Sequence, residues 1–180
     1  DGSTLRLVAR VPLEAMRDIQ WPLRGPGYLQ LGGLDALLRD GAKLWLSDNL
    51  TLYEGDAALP APRIASAIVS LQSDRSFDSW TSAFAHATGP SVDAATDLAW
   101  QQAMVDVVLE YPIHSADSRF SLDARLGRLG VRTTTVVHLV RPDGAVHDFT
   151  WQGDPGLVHL EPRALDTIGF FGRQIRRAHV

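Results

Sequence analysis

In the stretch "VVHLVRPDGAVHDFTW" two histidines and an aspartate flank a turn, and an imidazole held by a carboxylate is the arrangement that orients a histidine for base catalysis or metal ligation. Pro142 suits the second position of a type I turn and Gly144 the left-handed position that follows. Together they give a short loop with a G1 bulge and set Arg141 against Ala145. Counting outward, Leu139 faces His147, Val137 faces Phe149 and Thr135 faces Trp151 on one side of the hairpin, while Val140 faces Val146 and His138 faces Asp148 on the other. The side carrying Phe149 and Trp151 is the better core face. His138 and Asp148 are therefore predicted to meet across the strands, and with His147 they are the candidate metal ligands of the domain. An ordinary polar pair on the outside of a sheet, worth about 0.2 to 1 kcal/mol, accounts for the same residues. A two-residue Asp-Gly turn would shift the register by one and break the pair.

Other chemistry is sparse. His86 falls in a predicted helix, His114 follows Pro112, His159 lies in the last strand and His179 in the tail, and none forms an HExxH or HxH spacing. There is no G-x-S-x-G elbow, no Walker loop and no G-x-G-x-x-G after a strand. "RGPGYLQLGG" holds two turns without the Lys-Ser/Thr of a phosphate cradle and reads as a loop. Asp106 and Glu110 sit at strand spacing, the pattern of a solvated sheet face. The net charge is -4 and the pI near 5.8, so no global basic field gathers phosphates and nucleic acid is not an expected partner. The absence of cysteine excludes disulfides, thiolate nucleophiles and Cys-based zinc sites. These features point to a non-enzymatic domain without a resident cofactor. The remaining catalytic reading is a hydrolase with His138 and Asp148 as its oriented base.

The elements that must position these residues are mostly strands. At 180 residues, with an apolar fraction of 45%, the chain can bury a core of its own. "TLRLVARVPL" alternates with period two and predicts a first strand. The Pro/Gly-rich "WPLRGPGY" reads as a connection, and the spacing of Leu34, Leu37, Leu38, Gly41, Ala42 and Trp45 predicts a helix over 34–46. "NLTLYEGDAALPAP" reads as a hairpin around Gly55 and Asp56, and "IASAIVSL" as a strand. Ser76 is the predicted cap of a second helix that Gly89 and Pro90 stop. A long strand is expected over 97–113, with Ala103, Val105, Val107, Leu109 and Tyr111 on one face. "SRFSLDA", the two arms of the histidine hairpin and "LVHLE" supply the remaining strands. Strands joined by hairpins, without strand-helix alternation, predict a mainly β domain over 1–162. The expected architecture is an antiparallel, Ig-like β-sandwich with two short helical insertions.

The last segment, 163–180, is predicted to be a C-terminal amphipathic helix. Leu165, Ile168, Phe171, Ile175 and Ala178 fall on one stripe, and Phe170, Arg173, Arg176 and Arg177 complete a basic, aromatic approach to a membrane. Gly169 and Gly172 each cost about 1 kcal/mol of helix propensity, so the helix needs a partner. No window of ~18 apolar residues occurs, so the given chain has no spanning helix. It begins "DGSTLRL" with neither Met nor an apolar h-region, which fits a removed signal peptide.

The blocks "LSDNLTLYEGDAALPAPRI", "SDRSF", "VLEYPI", "VVHLVRPDGAVHDFTWQGDPGLVHLEPRALD" and "IGFFGRQIRRAHV" together resemble the N-terminal extracytoplasmic region of HupE/UreJ-type bacterial membrane proteins. That resemblance implies a domain on the periplasmic side, attached through following transmembrane helices. It also implies a link to hydrogenase or urease accessory function and to transport of a divalent metal such as nickel or cobalt by the full-length protein. The histidine- and aspartate-containing motif associated with that transport opens the membrane region and has no counterpart in these residues. The expected role is a non-enzymatic extracytoplasmic domain with a protein partner. A free-standing secreted binding module, using aromatics such as Trp21, Tyr28 or Trp100 for a glycan or protein, is the alternative. Removing residues 164–180 is expected to leave the domain folded. A loss of several kcal/mol in chemical denaturation would instead place Leu165, Ile168 and Phe171 in the core.

Overall fold

The computed structural model describes residues 3–130 and 133–161. The predicted C-terminal helix and the membrane-proximal set Phe170, Phe171, Arg173, Arg176 and Arg177 lie outside these residues. The first half of the chain forms β1 (Thr4–Pro12), β2 (Leu23–Arg24), β3 (Tyr28–Leu29), α1 (Asp35–Trp45), β4 (Leu50–Glu54), β5 (Ala57–Ala58) and β6 (Arg63–Leu71). After these come α2 (Trp80–Ala87), β7 (Ala103–Pro112), β8 (Phe120–Ala124), β9 (Thr134–Val140), β10 (Val146–Gln152) and β11 (Leu157–His159). The protein is thus mainly β with two α-helices, as expected.

All strand pairings are antiparallel. A three-stranded sheet has the order β1-β7-β6, a four-stranded sheet the order β11-β8-β4-β5, and β9 and β10 form a separate two-stranded hairpin. One apolar core takes side chains from both larger sheets: Val105, Val107, Leu109 and Tyr111 from β7, Leu50 and Leu52 from β4, and Phe120 and Leu122 from β8. The predicted stripe of α1 enters the same core through Leu38, Ala42 and Trp45. Gly41 lets that helix approach closely, because a Cβ there would stand 2.8 Å from Ile19 Cδ1. The hairpin covers part of the core with Val137, Leu139, Phe149 and Trp151, the face chosen by its turn.

Four sequence expectations change. "WPLRGPGY" holds a short ladder, with Leu23 opposite Leu29 and Arg24 opposite Tyr28. The strand expected over 97–113 begins at Ala103, after a 3-10 turn over Trp100–Gln102. The cap of α2 is Ser79, whose side chain accepts from the Ser82 N–H, because Ser76 falls in a separate 3-10 turn over Ser76–Asp78 and the chain is extended again at Ser79 before α2 begins. The fourth change concerns Asp106, which is wholly buried and not part of a solvated face.

On that face β1 sets Arg10 opposite Asp106, and α2 lies across both strands. Arg10 Nε donates to Asp106 Oδ1 at 2.7 Å and Nη2 to Asp106 Oδ2 at 2.7 Å, a bidentate pair. The guanidinium also donates to Asp74 and stands 4.1 Å from the centre of the Phe77 ring. His86 of α2 approaches from above, with Nε2 3.3 Å from Asp106 Oδ2. Ser76, through its hydroxyl and backbone N–H, together with Arg10, holds Asp74 well below the usual carboxylate range. Removing one partner of a buried pair leaves a desolvated charge uncompensated. Arg10→Met is expected to destabilise the domain by about 3 to 5 kcal/mol, and Arg10→Met with Asp106→Leu to recover most of that loss; urea denaturation of the wild type and both variants decides.

Candidate binding cleft

The hairpin forms in the predicted register. Arg141 N–H donates to Ala145 O at 2.9 Å, Gly144 takes φ +85°, and His138 stands opposite Asp148. His138 Nδ1 lies 2.6 Å from Asp148 Oδ1. Both side chains are open to solvent, at 55% and 67%, so water screens the pair. His147 pairs with Leu139 and therefore points to the opposite face from His138 and Asp148. The three residues named as metal ligands do not converge. Among the described residues, no group of three or more His, Cys, Asp or Glu could hold a metal ion.

His138 nevertheless borders a cleft of about 380 Å³ between β1 and β9. Thr4, Leu5 and Arg6 form one bank, and His138 through Pro142 form the other. The remaining lining is Trp80 of α2 with Ile113, Ala116 and Phe120. Arg6 is the charged feature of the first bank. It donates to Glu110 at 3.2 Å and lies 5.5 Å from the Phe84 ring, which in turn stacks on Trp80. Glu110 also pairs with Arg63, so one carboxylate is shared by two guanidinium groups.

The second bank is fastened from the other sheet. Glu54, at the end of β4, accepts the backbone N–H groups of His114 at 2.9 Å and Ser115 at 2.9 Å, and the Ser118 hydroxyl at 2.7 Å. Its carboxylate also meets His114 Nδ1 at 2.8 Å. The loop so ordered carries Ala116 into the cleft, and its Ser118 carbonyl accepts from Arg141 Nη1 at 3.1 Å. One half-buried carboxylate thus places the loop, and the loop places the hairpin. The His114 N–H, followed by the Ser118 hydroxyl, pulls the Glu54 carboxyl down to about 2.

Other residues singled out from sequence take structural places. Trp21 and Trp100 pack against the core, so the aromatics proposed for a glycan platform do not share an exposed surface, although Tyr28 remains open. His159 Nδ1 meets the Ser121 hydroxyl at 2.8 Å across β8 and β11. Arg10, Asp74, His86 and Glu54, which do most to shape the ground around the cleft, carry no local motif that would have marked them. No helix among the described residues is long and apolar enough to cross a membrane. No family model, curated protein or solved structure matches the chain.

Because the folded carboxyl of Glu54 is depressed, its stabilising contribution is full above the ordinary glutamate range and is lost as pH falls through about 2. Glu54→Gln is expected to lower stability at neutral pH, with the gap to wild type closing between about pH 4.5 and 2. Chemical denaturation of both proteins across that range is the check; a gap independent of pH would detach the loop from this carboxylate.

Proposed function

We propose that this chain is a non-enzymatic extracytoplasmic domain of a HupE/UreJ-type multi-span membrane protein, and that it works by holding a protein partner in the cleft between β1 and β9. The observation that carries the reading is the lining of that cleft. Apolar side chains are joined there by the guanidinium groups of Arg6 and Arg141, no carboxylate belongs to the lining itself, and His138 stands at the rim held by Asp148, in a chain whose net charge is -4. A surface of opposite sign to its surroundings, set in an apolar recess, favours recognition over chemistry.

The buried Arg10–Asp106 pair supports the same reading, since it holds strands and turns together. Two sheets closing on one core suit a β-sandwich, and we take it to be Ig-like in its layering. In the family the chain resembles, metal handling goes with the membrane region, so a nickel- or cobalt-type cation is cargo of the full-length protein and this domain contributes recognition at the periplasmic surface. The exposed His138–Asp148 pair then serves as a polar rim of the cleft.

In cells that make the protein natively, it is expected to sediment with membranes, to resist alkaline extraction and to be cut by protease added from the periplasmic side. A photoreactive side chain at Val140 is expected to form polypeptide adducts there, and one at Leu44, exposed on α1, is not. Recovery as a soluble cytoplasmic protein would overturn the membrane assignment, and equal adducts at both positions would overturn the cleft.

A further inference from the structure

The two banks of the cleft are strand edges, and hydrogen-bond phase shows which backbone groups they offer. In an antiparallel ladder, residues alternate between bonding the partner strand and turning their N–H and C=O away from it. Ile113 N–H donates to Ser3 O at 3.0 Å, which continues the β1–β7 register by one pair and makes Leu5 and Leu7 bonding positions. Thr4 and Arg6 therefore turn their backbone groups outward. Pro112, which has no N–H, sits opposite Thr4 at a non-bonding pair, as that phase demands. On β9, Arg141 N–H to Ala145 O and Gly153 N–H to Thr133 O fix the alternate phase at both ends, so His138 and Val140 turn outward.

Each strand also lines the cleft with consecutive residues: Thr4, Leu5 and Arg6 on one, His138 to Val140 on the other. A groove over a sheet face would touch every second residue, because side chains alternate. Contact with successive residues means that the cleft runs along the edges. Among the described residues β1 is the outer strand of its sheet and β9 is bonded to β10 alone, so within that set both edges are open to a further strand.

We propose that the cleft takes an extended segment of a partner polypeptide, which adds as a strand between β1 and β9 and alternates apolar with acidic side chains. This rests on the partner-binding reading above and specifies its ligand. Side chains on one face of the added strand meet Leu5, Ile113, Phe120 and Leu139. Those on the other face meet Arg6 beside Trp80, with His138, already held by Asp148, at the far side. The lining arginines have no carboxylate among them, and the one acid that Arg6 reaches, Glu110, is shared with Arg63. A surplus positive charge is left at the mouth for an acidic side chain. Main-chain hydrogen bonds supply affinity and the two faces supply selectivity.

The test uses the full chain and a fluorescent eight-residue peptide of alternating Val and Glu, alongside the same peptide with alternate backbone nitrogens methylated and a third with Lys in place of Glu. Binding is expected for the first alone, with the amides of Arg6, His138 and Val140 gaining protection from hydrogen exchange. Val140→Pro removes one outward N–H without touching the β9–β10 ladder, a place where an edge strand accepts proline. It is expected to weaken binding about tenfold, the loss of one strand hydrogen bond. Val146→Pro, on the far edge of the hairpin, is expected to bind as wild type does. Equal binding of the methylated peptide, or wild-type affinity in Val140→Pro, would overturn strand addition. A concentration-dependent dimer abolished by Val140→Pro would assign the cleft to a second copy. A cross-link from Val140 to residues 162–180 would assign it to the chain's own segment. Either result overturns the proposal, as does failure of the Val-Glu peptide to bind. Membrane fractionation reports separately, so loss of the peptide result with membrane attachment intact removes this inference and leaves the broader role.

Discussion

A carboxylate with no exposed surface, in the middle of a strand of valines, is the constraint from which the rest of one sheet follows. Asp106 would cost several kcal/mol to bury alone, so each neighbouring element is arranged to meet it. β1 must run against β7 in the register that sets Arg10 opposite. The turn after β6 must bring Asp74, and α2 must cover the site and present His86. A slip of one residue would turn Arg10 into the apolar core and set Ala9 or Val11 against the charge, so the pair acts as a pin on register.

The same pin decides what the neighbouring surface offers. With Arg10 fixed, Arg6 falls on the same face two periods of the alternation earlier in β1, beside the aromatic pair of α2. The opposite bank is placed by Glu54 through an ordered loop and a single carbonyl of Ser118. The cleft is therefore held open by two carboxylates, each belonging to a different sheet.

Local chemistry was legible in the sequence and long-range coverage was not. Pro142 and Gly144 determine the turn, the turn determines the phase, and so every cross-strand pair of the hairpin, His138 with Asp148 included, can be counted from "RPDG". The α1 stripe was readable for the same reason, since its period lies within one element. Parity placed Asp106 and Glu110 on one face of β7 but could not say what lies over that face. α2 comes from an earlier part of the chain, and only tertiary packing puts it there. Choosing Ser79 over Ser76 as helix cap likewise depends on the separate 3-10 turn that Ser76–Asp78 forms beside Arg10 and Asp74. Glu54 gave no signal because its partners begin sixty residues later, and the β2–β3 ladder is too short to display a period.

The order of these elements along the chain sets when the domain is complete. The β9–β10 hairpin closes over a short loop and can form early, whereas Arg6 waits for Glu110, 104 residues further on. Bringing such distant segments together slows folding. The cleft is bounded by one bank of each kind, a fast local ribbon and a late non-local strand. It therefore needs both the local ribbon and the non-local strand in place, and a chain in which either is missing has no paired banks with which to capture a passing strand.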